Sequence, residues 1–405
     1  MHTNVEHTPS MSVGGVLFSS GFRIFFIAAT VFAILSMLIW MGQLVFSLAL
    51  LPEHLSASSW HAHEMIYGYG LAVIAGFLLT AVRNWTGIPT LHGTPLQALV
   101  LLWVVARLAP FVPLSLLPVE QAMLLGAVCD GLFIIALSIA LTVPVVQARL
   151  WKNMGVVSKL YFFLPGHVLY SLDQFGLFAD GRRIGLYIGL YMILSLLLLL
   201  SRRVIPMFIQ RGIGGDIILR NDFRVDMACF LVFLMFAISD IFFVAPVLTA
   251  WLAGGLAVLH AVRLSGWYHR GLWQKPLLWV LYLAYGWMVI GFALKWAVLL
   301  FGVSPFLATH AFAVGGIGMM TLGMMARISL GHTGRNIMQP PAGLGWMCAL
   351  FMSAVFVRVL LPLVFINNDV VLMAVSQVLW IVSFMLFLYH YILMLLQPRI
   401  DGKPG

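Results

Sequence analysis

The residues best suited to chemistry in this 405-residue chain stand at the mouths of two apolar stretches. The first, 59–87, opens with Ser59-Trp60-His61-Ala62-His63-Glu64. It then runs into about 18 mostly apolar residues, close to one bilayer crossing. The second begins at His310 and ends in Leu330-Gly331-His332-Thr333-Gly334-Arg335. Neutral imidazole is a ligand for copper, zinc and haem iron, and a neighbouring carboxylate can orient the ring or relay protons. Ionisable groups at membrane depth are costly and are functional candidates by default. His61, His63 and His310 are therefore the candidate metal ligands, with Glu64 in support.

Helical geometry limits how they cooperate. At about 100° per residue His61, Glu64 and Met65 share one face, while His63 lies nearly opposite with Tyr67. If the segment is helical from His61, the two histidines do not meet at one metal; an extended 60–63 would let them. His310 and His332 are 22 residues apart, about 33 Å along a continuous helix. They belong to opposite sides of a bilayer. His310 can join His61 and His63; His332 falls in a loop with Arg327 and Arg335. The methionines between them, Met319, Met320, Met324 and Met325, read first as packing and second as soft thioether ligands.

The elements that must position these groups follow from composition. The chain is 62% hydrophobic and 9% charged, with mean hydropathy +1.04, against roughly 25% charge in a soluble domain. This predicts an all-α polytopic transmembrane helical bundle of about twelve spans, the fifth over 154–178. It divides into a 1–23 N-terminal segment, a 24–396 membrane domain and a 397–405 tail. Cys129, Cys229 and Cys348 fall inside spans, and no Cys-x-x-Cys-His occurs. Neither a disulfide framework nor covalent haem attachment is expected. With the N-terminus inside, 16 of the 22 Lys and Arg, Lys403 among them, fall on the cytoplasmic side and only Arg182 and Arg183 outside. That bias predicts both termini in the cytoplasm. The net charge of +9 is then a topology signal, and no nucleic-acid partner is expected. The longest loop, 201–224, is basic and faces anionic lipid headgroups.

Several spans place charges at one depth. Asp173, Asp240, Lys295, Arg107 and Arg358 fall in the outer half, and Asp130 and His167 near the middle. Such groups face the bundle interior and pair with one another. The plainer reading is a set of buried ion pairs; the sharper one is a metal or haem site. His167, His260 and His390 read as buried histidines satisfied by neighbours. His2, His7, His54 and His92 read as solvated. No Walker loop, dinucleotide fingerprint or His-Glu-x-x-His occurs, so nucleotide and zincin chemistry lack support.

The block Trp60-His61-Ala62-His63-Glu64-Met65, with Ala75-Gly76-Phe77-Leu78-Leu79-Thr80-Ala81 and Asn84-Trp85-Thr86-Gly87, resembles the NnrS family. So do Arg202-Arg203-Val204-Ile205-Pro206, Pro276-Leu277-Leu278-Trp279 with Tyr285, and His310-Ala311 through Arg335. The resemblance runs in order from Phe22 to Arg335. It implies a multi-pass protein of the bacterial inner membrane that binds haem b without covalent attachment and copper, and is tied to nitric oxide and nitrosative stress. It gives weight to His61, His63, Glu64, His310, His332 and Arg335, and adds His332 to the cofactor-binding candidates. Arg335, Lys295 and Arg358 are supporting candidates. Membrane lipids and nitric oxide, or a related small molecule, are the implied partners. Turnover and stoichiometric binding both fit this residue set. The alternative is a transporter using Asp130, Asp173, Asp240, Lys295 and Arg358 as a charged path.

Overall fold

The computed structural model of the chain describes residues 12–402, apart from Leu114, Asp216, Val244, Ile366 and Asn367. His2, His7 and Lys403 lie outside the described residues. In hydrocarbon a backbone must satisfy its own hydrogen bonds, and the helix does so within one segment. The apolar runs accordingly form helices, with no strand among the described residues. In chain order they are α1 Val13–Leu17, α2 Gly21–Val45, α3 Ala57–Thr86, α4 Gly93–Leu108, α5 Val119–Gln147, α6 Met154–Tyr161 and α7 Phe163–Gln174. They continue as α8 Gly181–Ile213, α9 Phe223–Phe242, α10 Pro246–Gly266, α11 Pro276–Phe301, α12 Pro305–His332, α13 Leu344–Val359 and α14 Asp369–Leu396. Among the described residues, eleven helical segments are long and apolar enough to cross a membrane. The chain is a multi-pass helical membrane protein.

The expected fifth span is not one helix. It is two short ones, α6 and α7, separated at Phe162. Pro165 explains the position of the break. It has no N–H to offer the carbonyl four residues back, at Tyr161, and its ring crowds that carbonyl. The pair still runs the length of α5 in the opposite direction: Tyr161 donates to Thr142 Oγ1 at 3.1 Å, and His167 Nε2 meets Ala127 O at 2.9 Å. The expected basic loop 201–224 is also shorter than its charges imply. Helix α8 continues to Ile213, with Pro206 inside it. Ile205, Ile209 and Gly212 continue its buried face, with Gly212 against Leu278 of α11.

Helices α3 and α12, which carry the two histidine stretches, form the centre of the bundle. In their membrane windows 83% and 78% of residues are buried, more than in any other candidate span. Both contain a π-helical stretch directly after a histidine, Glu64–Gly70 and Ala311–Gly318. Such wide turns recur at functional sites. Buried Arg23 of α2 donates to the carbonyls of Leu395 and Gln397 at 2.8 and 2.7 Å and closes the C-terminal end of α14.

One close approach fixes the wall that holds His167. A Cβ on Gly185 of α8 would lie 2.3 Å from the carbonyl oxygen of Gly166 and 2.9 Å from the amide of Tyr170, both in α7. Tyr67 of α3 donates to the Gly185 carbonyl at 2.7 Å and ties this pair to the central helix. Gly185→Ala therefore forces α7 away from α8. Overpacking of this kind costs about 1–3 kcal/mol. The variant is expected to unfold at a lower temperature in detergent, whereas Gly155→Ala, at an open position, is expected to match the parent.

Candidate metal centre

Four helices bring His63 and Glu64 (α3), Arg107 (α4), Asp130 (α5) and His167 (α7) into one buried cluster. Each is at most 7% exposed. Arg107 is the centre of its electrostatics. One guanidinium nitrogen, Nη1, donates to Glu64 Oε2, and the other, Nη2, to Asp130 Oδ2. The planar fork of arginine suits this double contact. Gly68 leaves room for it, since a Cβ there would lie 2.8 Å from Glu64 Oε2 and 3.0 Å from Arg107 Nη1. Trp103 secures the same turn by donating from Nε1 to the Gly68 carbonyl at 3.0 Å.

The hydrogen bonds of the two histidines fix their tautomers. His63 Nδ1 lies 3.0 Å from Glu64 Oε1. A carboxylate held by an arginine only accepts, so Nδ1 carries the proton and Nε2 a lone pair. His167 Nε2 faces the Ala127 carbonyl at 2.9 Å. Carbonyl oxygen also only accepts, so Nε2 carries the proton and Nδ1 the lone pair. The two lone-pair nitrogens then face each other at 3.4 Å, and His63 Nε2 lies 4.0 Å from Asp130 Oδ2. The three ligand atoms are all within 4.8 Å of one another. Neutral imidazoles in this arrangement cannot hydrogen-bond to each other. They can share a cation.

The His63–His167 spacing fits one. Bonds of about 2.0–2.1 Å to nitrogen at tetrahedral angles hold two donors about 3.3 Å apart. Two imidazoles and a carboxylate oxygen suit copper or zinc. With neutral histidines the cluster holds two carboxylates and one guanidinium, so added positive charge is compensated. Glu64 behind His63 and the Ala127 carbonyl behind His167 supply the outer hydrogen bonds that orient metal-binding imidazoles. A cavity of about 40 Å³ adjoins the cluster, lined in part by Met123, Gly126, Tyr170, Ser171 and Gln174. The rings of Tyr67 and Tyr170 stack on His63 at 4.9 and 4.4 Å.

The other candidates lie elsewhere. The helix begins at Ala57, so His61 and His63 do diverge. Glu64 goes with His63, not with His61 as regular spacing would place it, because its side chain folds back onto the ring beside it in the sequence. His61 instead stacks on Trp40 of α2, with rings 4.7 Å apart and 7° from parallel, and its Nδ1 is buried with no partner among the described residues. His310 donates from Nδ1 to the Phe306 carbonyl at 2.7 Å, and its Nε2 accepts from Arg358 at 3.3 Å. Arg358 lies within electrostatic reach of both His61 and His310. A second group, His61, Trp40, His310 and Arg358, thus occupies the same end of the bundle. The structure brings His61 towards His310, and His63 towards His167.

His332 is the last residue of α12, not part of a loop. Its Nε2 accepts from Asn84 at 3.4 Å, and its ring lies 5.6 Å from that of Phe22. Arg335 follows it and reaches Gln397 at 3.4 Å. Lys295 pairs with Asp240 at 2.8 Å, and Tyr191 donates to the other oxygen of that carboxylate at 2.5 Å. Arg182 pairs with Asp173 at 2.8 Å. Of the charges proposed for a transport path, Asp173, Asp240 and Lys295 thus sit in separate ion pairs, while Asp130 belongs to the cluster and Arg358 meets His310. Asp130 and His167, and the central role of Arg107, were missed as site residues. The shared mid-membrane depth of Asp130 and His167 was their only sequence signal.

A buried His/Asp/His group inside a polytopic helical bundle defines the class. The NnrS family model matches residues 16–399, and the chain belongs to that family. No curated protein matches it individually.

Removing Arg107 alone leaves two buried carboxylates facing each other, which costs about 3–5 kcal/mol. Arg107→Met is expected to lower the unfolding temperature sharply. Adding Glu64→Gln and Asp130→Asn to the same chain is expected to restore most of the loss. Thermal unfolding of the single and triple variants in one detergent checks this. A triple variant less stable than the single one would show that the carboxylates do not depend on Arg107.

Proposed function

We propose that this protein is a metal-containing membrane protein that binds or processes nitric oxide, in the bacterial inner membrane with both termini in the cytoplasm. The observation that carries this reading is the buried approach of His63 Nε2 to His167 Nδ1, 3.4 Å apart beside Asp130. Copper would be held by His63, His167 and Asp130. His63 and His167 enter with fixed tautomers, and Arg107 pairs with the carboxylates of both Glu64 and Asp130. For haem b the fitting residue is His61: its ring is clamped by Trp40, and its Nδ1 has no partner. In this arrangement His310 has both nitrogens engaged, so it would orient Arg358 beside the haem. Bound metal would supply the open coordination position for nitric oxide. The chain's own contribution is to orient the ligands, balance their charge and exclude bulk water. His332, at the other end of α12, serves neither group. Family membership supplies the link to nitrosative stress.

Metal analysis and absorption spectra of the purified protein test this reading. His63→Ala and His167→Ala are each expected to reduce copper per protein at least several-fold, with the haem spectrum retained. His61→Ala is expected to reduce haem and retain copper. His332→Ala is expected to change neither. Unchanged copper in both the His63 and His167 variants, at normal protein levels, would remove the proposed copper site.

A further inference from the structure

A second cavity lies deeper in the bundle, between α3, α8 and α12. Its volume is about 60 Å³. Its walls include Val73 and Ile74 of α3, Leu196 and Ile205 of α8, and Met320 and Met324 of α12. The only hydroxyl side chains among its lining residues are Ser201 and Thr321, and its exposed lining is almost wholly apolar. Thr321 Oγ1 is engaged with Tyr69 OH at 2.7 Å and with the carbonyls of Ile317 and Gly318 at 2.8 and 2.9 Å. A water needs two to four polar partners, and cavities without them stay dry and accept xenon or apolar molecules.

The cavity has two closed ends and one apolar side. Towards the metal cluster, α3 and α8 approach so closely that a Cβ on Gly70 would lie 2.7 Å from Ile193 Cδ1. At the far end, the Arg327 guanidinium lies 3.6 Å from the centre of the Phe208 ring and joins α12 to α8. Between these closures Phe77, Leu197, Leu200, Met324 and Ile328 are only half-buried, so the cavity's side is formed by the bundle's own hydrocarbon-facing residues. At the closed end near the cluster, the π-helical turn Glu64–Gly70 has one end in each site: Glu64 holds His63, and Gly70 lines the cavity.

We propose that this cavity is a docking site for an apolar molecule of diatomic-gas size that enters sideways from the bilayer. The volume equals only a few water-sized probes, enough for such a molecule and too little for more than a few methylenes of a lipid chain. Resting on the nitric oxide reading above, the cavity holds the gas next to the helix that carries His63. Neither the polar cavity beside Gln174 nor the charged pairs can serve an apolar molecule in this way.

Xenon is the probe, applied under pressure to crystals of the full chain grown with brominated phospholipid. One xenon peak among Val73, Leu196 and Met320 is expected. It should disappear in Val73→Phe and in Leu196→Phe, which fill the cavity from different helices, so misfolding of one variant leaves the other as the test. In the same variants the rate of nitric oxide combination with the metal is expected to fall about five-fold, with metal content unchanged. No xenon peak, or bromine from an acyl chain in its place, would overturn the proposal. A nitric oxide rate unaffected by both fillings would overturn the cavity's link to the metal. A xenon peak in protein that holds no metal would support the cavity and count against the metal reading alone.

Discussion

Everything around the centre depends on a single guanidinium. Two carboxylates buried in a membrane bundle cannot both stay ionised without a counter-charge, and Arg107 reaches both from the last turn of α4. That contact joins α3, α4 and α5. It also sets the chemistry one step further out, because only an ionised Glu64 fixes the proton on His63 Nδ1. The tautomer of His63, the direction of its lone pair and the approach of His167 all follow. The fork needs a path across α3, and Gly68 provides it. A glycine inside a helix is normally a cost of about 1 kcal/mol; here it makes space for the ion pairs.

The π-helical stretches give a second constraint. After His63 and after His310 the chain makes a wider turn before the ordinary helix resumes at Leu71 and Met319. The polar head of each helix and its apolar shaft therefore do not follow one continuous 3.6-residue pattern. That is how α3 presents His63 to α7, while its shaft packs against α2 and α12. Face assignments made with a fixed angle per residue hold for His63 and Tyr67, which remain stacked, and fail for Glu64, whose side chain folds back onto His63.

Much of the fold was legible in the sequence, and the reason is general. Hydrocarbon permits few backbone solutions, so apolar runs of about 20 residues mark helices directly. The separation of His310 from His332 followed from helical geometry alone; that of His61 from His63 depended on whether the helix had begun before His61, which the start at Ala57 decides. What could not be read was the partner of each group. Asp130 and His167 were placed near one depth, but depth does not say which helices are neighbours. That choice depends on side-to-side packing, here on Gly166 and Gly185 allowing α7 to lie against α8. Pro165 did mark a kink near His167, which the structure places at Phe162; the extension of α8 past Pro206 was invisible, since a proline signals a possible break and tertiary packing decides whether it occurs.

The remaining buried charges show why the His63 cluster stands apart. Asp240 receives Lys295 on one oxygen and Tyr191 on the other. Asp226 receives Arg202 and Arg263, while Arg263 also donates to Tyr285, which meets His260 at 2.6 Å. In those groups each carboxylate faces donors on both oxygens, as expected of polar links that hold helices together in an apolar medium. The His63 cluster contains the same kind of ion pairs, and on charge alone it would be one more such link. It differs in having two acceptors left over and directed at each other. A structural ion pair gains nothing from that arrangement, since facing lone pairs repel until something positive lies between them. The outer bonds to Glu64 and Ala127 hold both rings in this orientation, which is the cost a binding site bears and a helix clamp would avoid.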